Sequence, residues 1–184
     1  NQPNIVARNK PLIRKDGYVF KDLNGNGQLD AYEDWRLPAS ERALDLLSQM
    51  TLLEKIGQMQ HPTFVPKADG SAPAFLERWM QESNVGLVLV RDLPGAKAAA
   101  LTMNQIQEWS EASRLGIPVV VSMDSVHGLS YVNGGLVHPH NLGLAATRNL
   151  ELVRELTETS RLEHLAIGVR MTLSPEADIA TEPR

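Results

Sequence analysis

A chain of 184 residues with 42% apolar content can bury one core of ordinary domain size. A formal charge of −4, without any cluster of Lys and Arg, argues against a nucleic-acid partner. The longest mainly apolar run, Ile117 to Met123, is far too short for a membrane span, and the lack of cysteine excludes disulfides, thiolate metal sites and a cysteine nucleophile. The residues after Asn1 do not read as a secretory leader, although a chain that opens on Asn rather than Met leaves room for removal of a preceding segment.

In chain order, Asn1 to Phe20 reads as an irregular lead-in, with Pro3, Pro11 and Gly17 breaking any periodicity. Lys21 to Trp35 reads as a polar, glycine-rich loop running into a short helix, after which Trp35 is expected to pack this arm onto the main body. Helical spacing begins at Ser40. Ala43, Leu44, Leu47 and Met50 share one face, as do Leu52, Leu53, Ile56 and Met59, and Thr51 with Glu54 forms a capping-box pair that starts a second helix. His61 to Pro73 reads as a loop and Ala74 to Glu82 as a short helix.

Val85 to Val90 is a continuous apolar run, the pattern of a strand buried on both faces. A helix is expected over Ala96 to Arg114, with Ala99, Met103 and Ile106 at core spacing. A second buried strand comes next, over Ile117 to Met123. Leu150 to Ala166 reads as a helix capped by Asn149, and Ile167 to Leu173 as a third strand interrupted by Arg170. Buried strands alternating with helices imply an α/β fold with a parallel sheet. Three strands cannot close a barrel that needs eight, so the expectation is the N-terminal part of a (β/α) TIM-like barrel. Residues 1–39 would form an arm and residues 40–184 the first, incomplete part of the barrel domain.

The arm carries a motif with its own chemistry. Asp22, Asn24, Asn26, Asp30 and Glu33 place side-chain oxygens at the spacing of an EF-hand calcium loop, with Gly27 at the sharp bend and Gln28 offering its backbone carbonyl. A hard cation takes six to eight oxygens, and a tightly turned loop aims alternate side chains inward. The ordinary alternative is an Asn/Gly-rich turn. A single loop suits a structural clip better than a sensor, because sensor EF-hands come in pairs.

The second strand ends in Met123-Asp124-Ser125-Val126-His127-Gly128. In parallel α/β folds that end of the strands holds the active site, so Asp124 is placed to accept hydrogen bonds from ligand hydroxyls. Its ordinary alternatives are capping the following helix or pairing with a barrel arginine.

Four segments, in order, resemble the family 3 glycoside hydrolases of the β-glucosidase type. LLSQMTLLEKIGQM (Leu46 to Met59) is similar to their opening helices, and LGIPVVVSMDSVHG (Leu115 to Gly128) to a strand ending in Asp-x-Val-His-Gly. HPHNLGLAATRNLELVREL (His138 to Leu156) resembles a segment usually opening on phenylalanine. LSPEADIATEPR (Leu173 to Arg184) resembles a stretch that continues in the family as Trp-Gly-Arg. His138 in place of phenylalanine and Glu182 in place of aspartate are departures. The calcium loop is not general to the family, although it resembles an N-terminal extension of some bacterial members.

The resemblance implies a retaining, exo-acting β-glycosidase that hydrolyses β-glucosides or oligosaccharides. Asp124 would hold hydroxyls of the terminal sugar, and Arg184 matches the first arginine of the family stretch. It implies no catalytic residue within this chain: the nucleophile and the acid/base would come from the remainder of the same enzyme. Calcium would be structural, with no cofactor for catalysis. The partners implied are a carbohydrate substrate and that remainder, with no nucleic acid and no membrane, in a periplasmic or extracellular setting. The alternative is a metal-dependent barrel hydrolase built on His138 and His140, joined by His127 and Asp124. The weakness of that alternative is placement, since His138 to His140 falls in a loop leading to a helix rather than at a strand end. A calcium-dependent attachment module of the dockerin kind would need a second loop, and no second copy is found. Ser125 and Ser130 have no triad context, and Trp79 and Trp109 read as packing residues.

Overall fold

The structure is a computed structural model that describes residues 2–176, so the Glu182 departure and the Arg184 match lie outside the described residues. The elements are β1 (Leu12–Lys15), β2 (Tyr18–Lys21), α1 (Ala39–Gln49), α2 (Leu52–Gln58), β3 (Thr63–Phe64) and α3 (Phe75–Gln81). They continue as β4 (Leu87–Val90), α4 (Ala96–Glu111), β5 (Val120–Met123), α5 (Asn141–Ala146), α6 (Leu150–Ile167) and β6 (Met171–Thr172). The chain divides into two compact units. One comprises Asn1–His61, Ala74–Leu87 and Gln105–Val119, and the other the remaining residues, so the expected boundary at 39/40 falls inside the first unit.

In the first unit the expected irregular lead-in contains an antiparallel hairpin, β1 with β2, in register from Leu12↔Lys21 to Lys15↔Tyr18. The cause is the Asp16-Gly17 turn. Both residues have positive φ, 54° and 79°, as a two-residue hairpin turn that matches strand twist requires. Trp35 lies on this hairpin, stacked on Phe20 at 5.6 Å and edge-on to Tyr18 at 5.4 Å, and its Nε1 donates to Val19 O at 3.0 Å. Its observed partners therefore belong to the arm's own hairpin. The arm is fastened to the end of α4 by Glu111, which accepts from the backbone N–H groups of Arg8 and Asn9 and from Lys21 Nζ at 2.6–2.8 Å. The short helix expected before Trp35 is a turn over residues 31–33.

The capping box that opens α2 forms as the sequence implies. Thr51 Oγ1 accepts from Glu54 N and Glu54 Oε2 accepts from Thr51 N at 2.8 Å. Arg114 then grips the same carboxylate with Nε at 2.8 Å and Nη2 at 2.5 Å. The guanidinium beside it holds the Glu54 carboxyl down to about 2. The helical spacing of α1 and α2 is correct, yet their apolar faces are largely uncovered: Leu53 is 76% exposed and Met59 85%.

The second unit is organised on a four-stranded sheet of order β3-β4-β5-β6, with the β3–β4 and β5–β6 pairs parallel. Val88, Val90, Val121 and Met123 are at most 1% exposed, which accounts for the unbroken apolar runs in the sequence. Strand β3 was not expected, because Thr63 and Phe64 are only two residues enclosed by Pro62 and Pro66. The third expected strand shrinks to Met171–Thr172. Helix α6 runs on through Ile167 and ends at Gly168, whose φ of 91° supplies the left-handed cap that stops a helix. Asn149 caps its start, Oδ1 accepting from Leu152 N at 3.1 Å.

Candidate active site

The neighbouring strands β4 and β5 each run directly into a charged residue. Arg91 comes after β4, Asp124 after β5, and Arg91 Nη2 donates to Asp124 Oδ2 at 3.0 Å. The C-terminal ends of the two strands therefore lie together, as a parallel arrangement requires. Of the two ordinary roles considered for Asp124, pairing with an arginine is present. Helix capping is not, since α5 starts only at Asn141. The pairing engages one carboxylate oxygen. The other accepts no hydrogen bond among the described residues, and the side chain remains 27% exposed. The Arg91 guanidinium also faces the ring of Tyr131, 5.7 Å from its centroid. Its Nε is buried without a partner among the described residues.

The segment after Asp124 is held tightly. Gly128 has φ of 78°, and an added Cβ would come within 2.6 Å of Leu136 O and 3.0 Å of His138 Cδ2, so only glycine fits the turn. His138 thus packs against the motif glycine, and its N–H donates to His127 O at 3.1 Å. The rings of His127 and His140 meet edge-to-face at 4.9 Å. Among the described residues no three His, Asp or Glu side chains converge to hold a metal ion, so the metal-dependent alternative finds a histidine pair where it needs a complete set.

Ser125 has a partner that spacing did not reveal. His164 Nε2 lies 2.8 Å from its Oγ, both residues are buried, and His164 Nδ1 lies 2.6 Å from Ser160 O. With a carbonyl rather than a carboxylate behind the imidazole, the pair lacks the third member of a hydrolytic triad. It borders a cavity of about 470 Å³ lined by His138, Leu144, Ser160, His164, Met171 and Thr172 among others.

In the arm, the expected calcium ligands share one loop. Asp22 Oδ1 and Oδ2 accept from the N–H groups of Asn26 and Gly27 at 3.0 and 2.9 Å. Asn24 and Asn26 both aim their amide groups at Asp30 Oδ2, at 2.7 and 2.8 Å. Glu33 accepts from Leu23 N at 2.6 Å and, with its second oxygen, from Asp30 N at 3.1 Å. Burial pushes the Glu33 carboxyl up, against the pull of these N–H groups. Asp22, Asp30 and Glu33 form no ion pair among the described residues. Oxygen donors of this type suit a hard cation, and Asp22 and Glu33 are buried, with the Lys10 ammonium close enough to feel both. Their carboxylates do not converge as a set of three.

Residues 51–184 match the Glycosyl hydrolase family 3 N terminal domain. Over 98% of its length the chain is 42% identical to the periplasmic beta-glucosidase/beta-xylosidase of Dickeya chrysanthemi, of which it covers 30%. Over 97% it is 37% identical to beta-glucosidase C of Emericella nidulans, of which it covers 29%. A family 3 beta-N-acetylglucosaminidase structure from Paenibacillus sp. matches 68% of this chain and 24% of that one, with a TM-score of 0.62 and 25% identity. The chain belongs to glycoside hydrolase family 3, and it spans less than a third of the length of these curated relatives.

Two residues at or beside the site were missed from sequence. Arg91 is detectable by inspecting the residue after each buried strand, since it stands at the end of Leu87–Val90 as Asp124 stands at the end of Val120–Met123. His164 is not, because its partner lies 39 residues away and nothing in the helical pattern of α6 marks it.

Proposed function

We propose that this chain forms the first part of the catalytic barrel of a retaining, exo-acting β-glycosidase of the β-glucosidase type. The substrate class is β-glucosides or oligosaccharides. The observation that carries this reading is Asp124, a partly open carboxylate at the end of a buried strand inside the stretch that matches the family. Relatives named beta-glucosidase and beta-xylosidase support the same class of reaction.

The chemistry requires two carboxylates, one attacking the anomeric carbon and one protonating the leaving oxygen, after which water releases the sugar with configuration retained. On this reading both come from elsewhere in the polypeptide. Asp124 contributes orientation: its free oxygen accepts from a sugar hydroxyl, and a charged hydrogen bond that tightens in the transition state speeds the reaction. Residues 1–39 act as an arm and residues 40–184 open the barrel. The uncovered apolar faces of α1 and α2 are consistent with further polypeptide packing there.

Calcium is part of the proposal as a structural ion. Asp22, Asn24, Asn26, Asp30 and Glu33 would hold it by side-chain oxygens, with the backbone carbonyl of Gln28. It would neutralise the buried carboxylates of the arm and has no place in the reaction. A periplasmic or extracellular setting fits the relatives named periplasmic in Dickeya chrysanthemi and Salmonella typhimurium. No helix among the described residues is long and apolar enough to cross a membrane.

The test is hydrolysis of an aryl β-glucoside by the full-length polypeptide, followed by NMR at the anomeric carbon. The β-anomer should appear first. Initial release of the α-anomer, or no hydrolysis of any aryl β-glycoside, would overturn the reading.

A further inference from the structure

We propose that Arg91 is a positioning residue for Asp124, fixing the carboxylate so that one oxygen remains for the substrate; this rests on the reading of Asp124 as the sugar-holding residue. The geometry carries it. Arg91 and Asp124 are 33 positions apart, yet each directly succeeds a buried strand, and the strands are neighbours in the sheet. A side chain rooted on one rigid strand end therefore braces a side chain on the next. The contact is made through Nη2 to Oδ2 alone, at 3.0 Å, and Oδ1 keeps its capacity to accept.

The guanidinium is itself constrained on a second side, facing the Tyr131 ring at 5.7 Å. Tyr131 is placed in turn by its backbone carbonyl, which accepts from Leu93 N at 2.8 Å. A carboxylate restrained in this way loses less rotational freedom when a sugar binds, and it holds the direction that productive binding needs. Arg91 Nε is buried without a partner among the described residues. Lysine would keep the charge but lose the planar group that lies against the ring.

The test uses the full-length enzyme and an aryl β-glucoside, with kcat, KM and melting temperature measured for Arg91→Ala, Arg91→Lys, Asp124→Asn and the Arg91→Ala/Asp124→Asn pair. Arg91→Ala should lower kcat/KM by roughly tenfold with an unshifted melting temperature, the order expected for lost orientation of one group. Arg91→Lys should recover part of that loss. The double variant should be no slower than Asp124→Asn alone, because the brace has nothing left to orient. Additive losses in the double variant would overturn the proposal, as would an Arg91→Ala enzyme that melts early but hydrolyses normally. If Arg91→Ala does not fold, Arg91→Met in the same cycle decides the question, since it keeps the packing stem. A crippled Asp124→Asn beside a normal Arg91→Ala would reject only the brace. A normal Asp124→Asn would reject the sugar-holding role and the brace together.

Discussion

The arm loop from Asp22 to Glu33 and the ends of β4 and β5 both concentrate charged groups, but they dispose of them differently. In the arm, Asp22 and Glu33 have both carboxylate oxygens occupied by N–H groups of the same loop. At the strand ends, Asp124 meets one donor from 33 residues away and keeps one oxygen unengaged. The first arrangement is short-range, with every one of these oxygens turned into its own loop, where a hard cation would compete with the N–H groups for them. The second is long-range and half-saturated, which leaves capacity for a ligand. A carboxylate's unused hydrogen-bonding capacity, more than its mere presence, separates these two regions.

The largest effect should fall on the strand end. In the full-length enzyme, Asp124→Asn is expected to cost about 3 kcal/mol of transition-state binding, roughly a hundredfold in kcat/KM. Its melting temperature should stay near that of the parent. An early-melting variant with intact kcat/KM on an aryl β-glucoside would reduce Asp124 to the ion pair seen with Arg91.

Next comes Gly128→Ala, where the left-handed backbone and the 2.6 Å approach to Leu136 O should destabilise by about 2 kcal/mol. Thermal unfolding measures this, and an unchanged melting temperature would show that the turn after Asp124 relaxes freely.

The arm should respond in stability and not in kinetics. Chelation of calcium, or Glu33→Gln, is expected to lower the melting temperature by an amount equivalent to about 1–2 kcal/mol, since an ion bound only to the folded state stabilises by mass action. kcat at a temperature well below unfolding should hold. Indifference of the melting temperature to both treatments would leave the loop as a hydrogen-bonded turn.

The smallest effect is assigned to Glu54→Gln, about 1 kcal/mol, because Arg114 stays half in water and screening weakens the pair. The Glu54 carboxyl is depressed from 4.5 to about 2, so its stabilising contribution is complete above pH 4.5 and disappears as pH falls toward 2. Parent and variant should therefore converge in melting temperature at acid pH. A constant gap down to pH 2 would contradict the Arg114 attribution.

Features whose cause lies within a few residues were legible in the chain alone. The capping box of Thr51 and Glu54, the Asn149 cap and the apolar runs of β4 and β5 all appear where expected, because neighbouring atoms decide them. Asp124 was legible for the same reason as the residue that closes a buried strand. The hairpin at Asp16-Gly17 is equally local, but the prolines around it mask the turn as part of an irregular segment.

Tertiary structure alone decided the rest. Pairing made Thr63 and Phe64 a strand, since two residues carry no periodicity of their own. It set Arg91 against Asp124 and His164 against Ser125, contacts that depend on which strands become neighbours and on how α6 packs. The same spacing that made α1 and α2 recognisable said nothing about whether their apolar faces would be covered. Periodicity is written along one segment, while burial and pairing are properties of at least two.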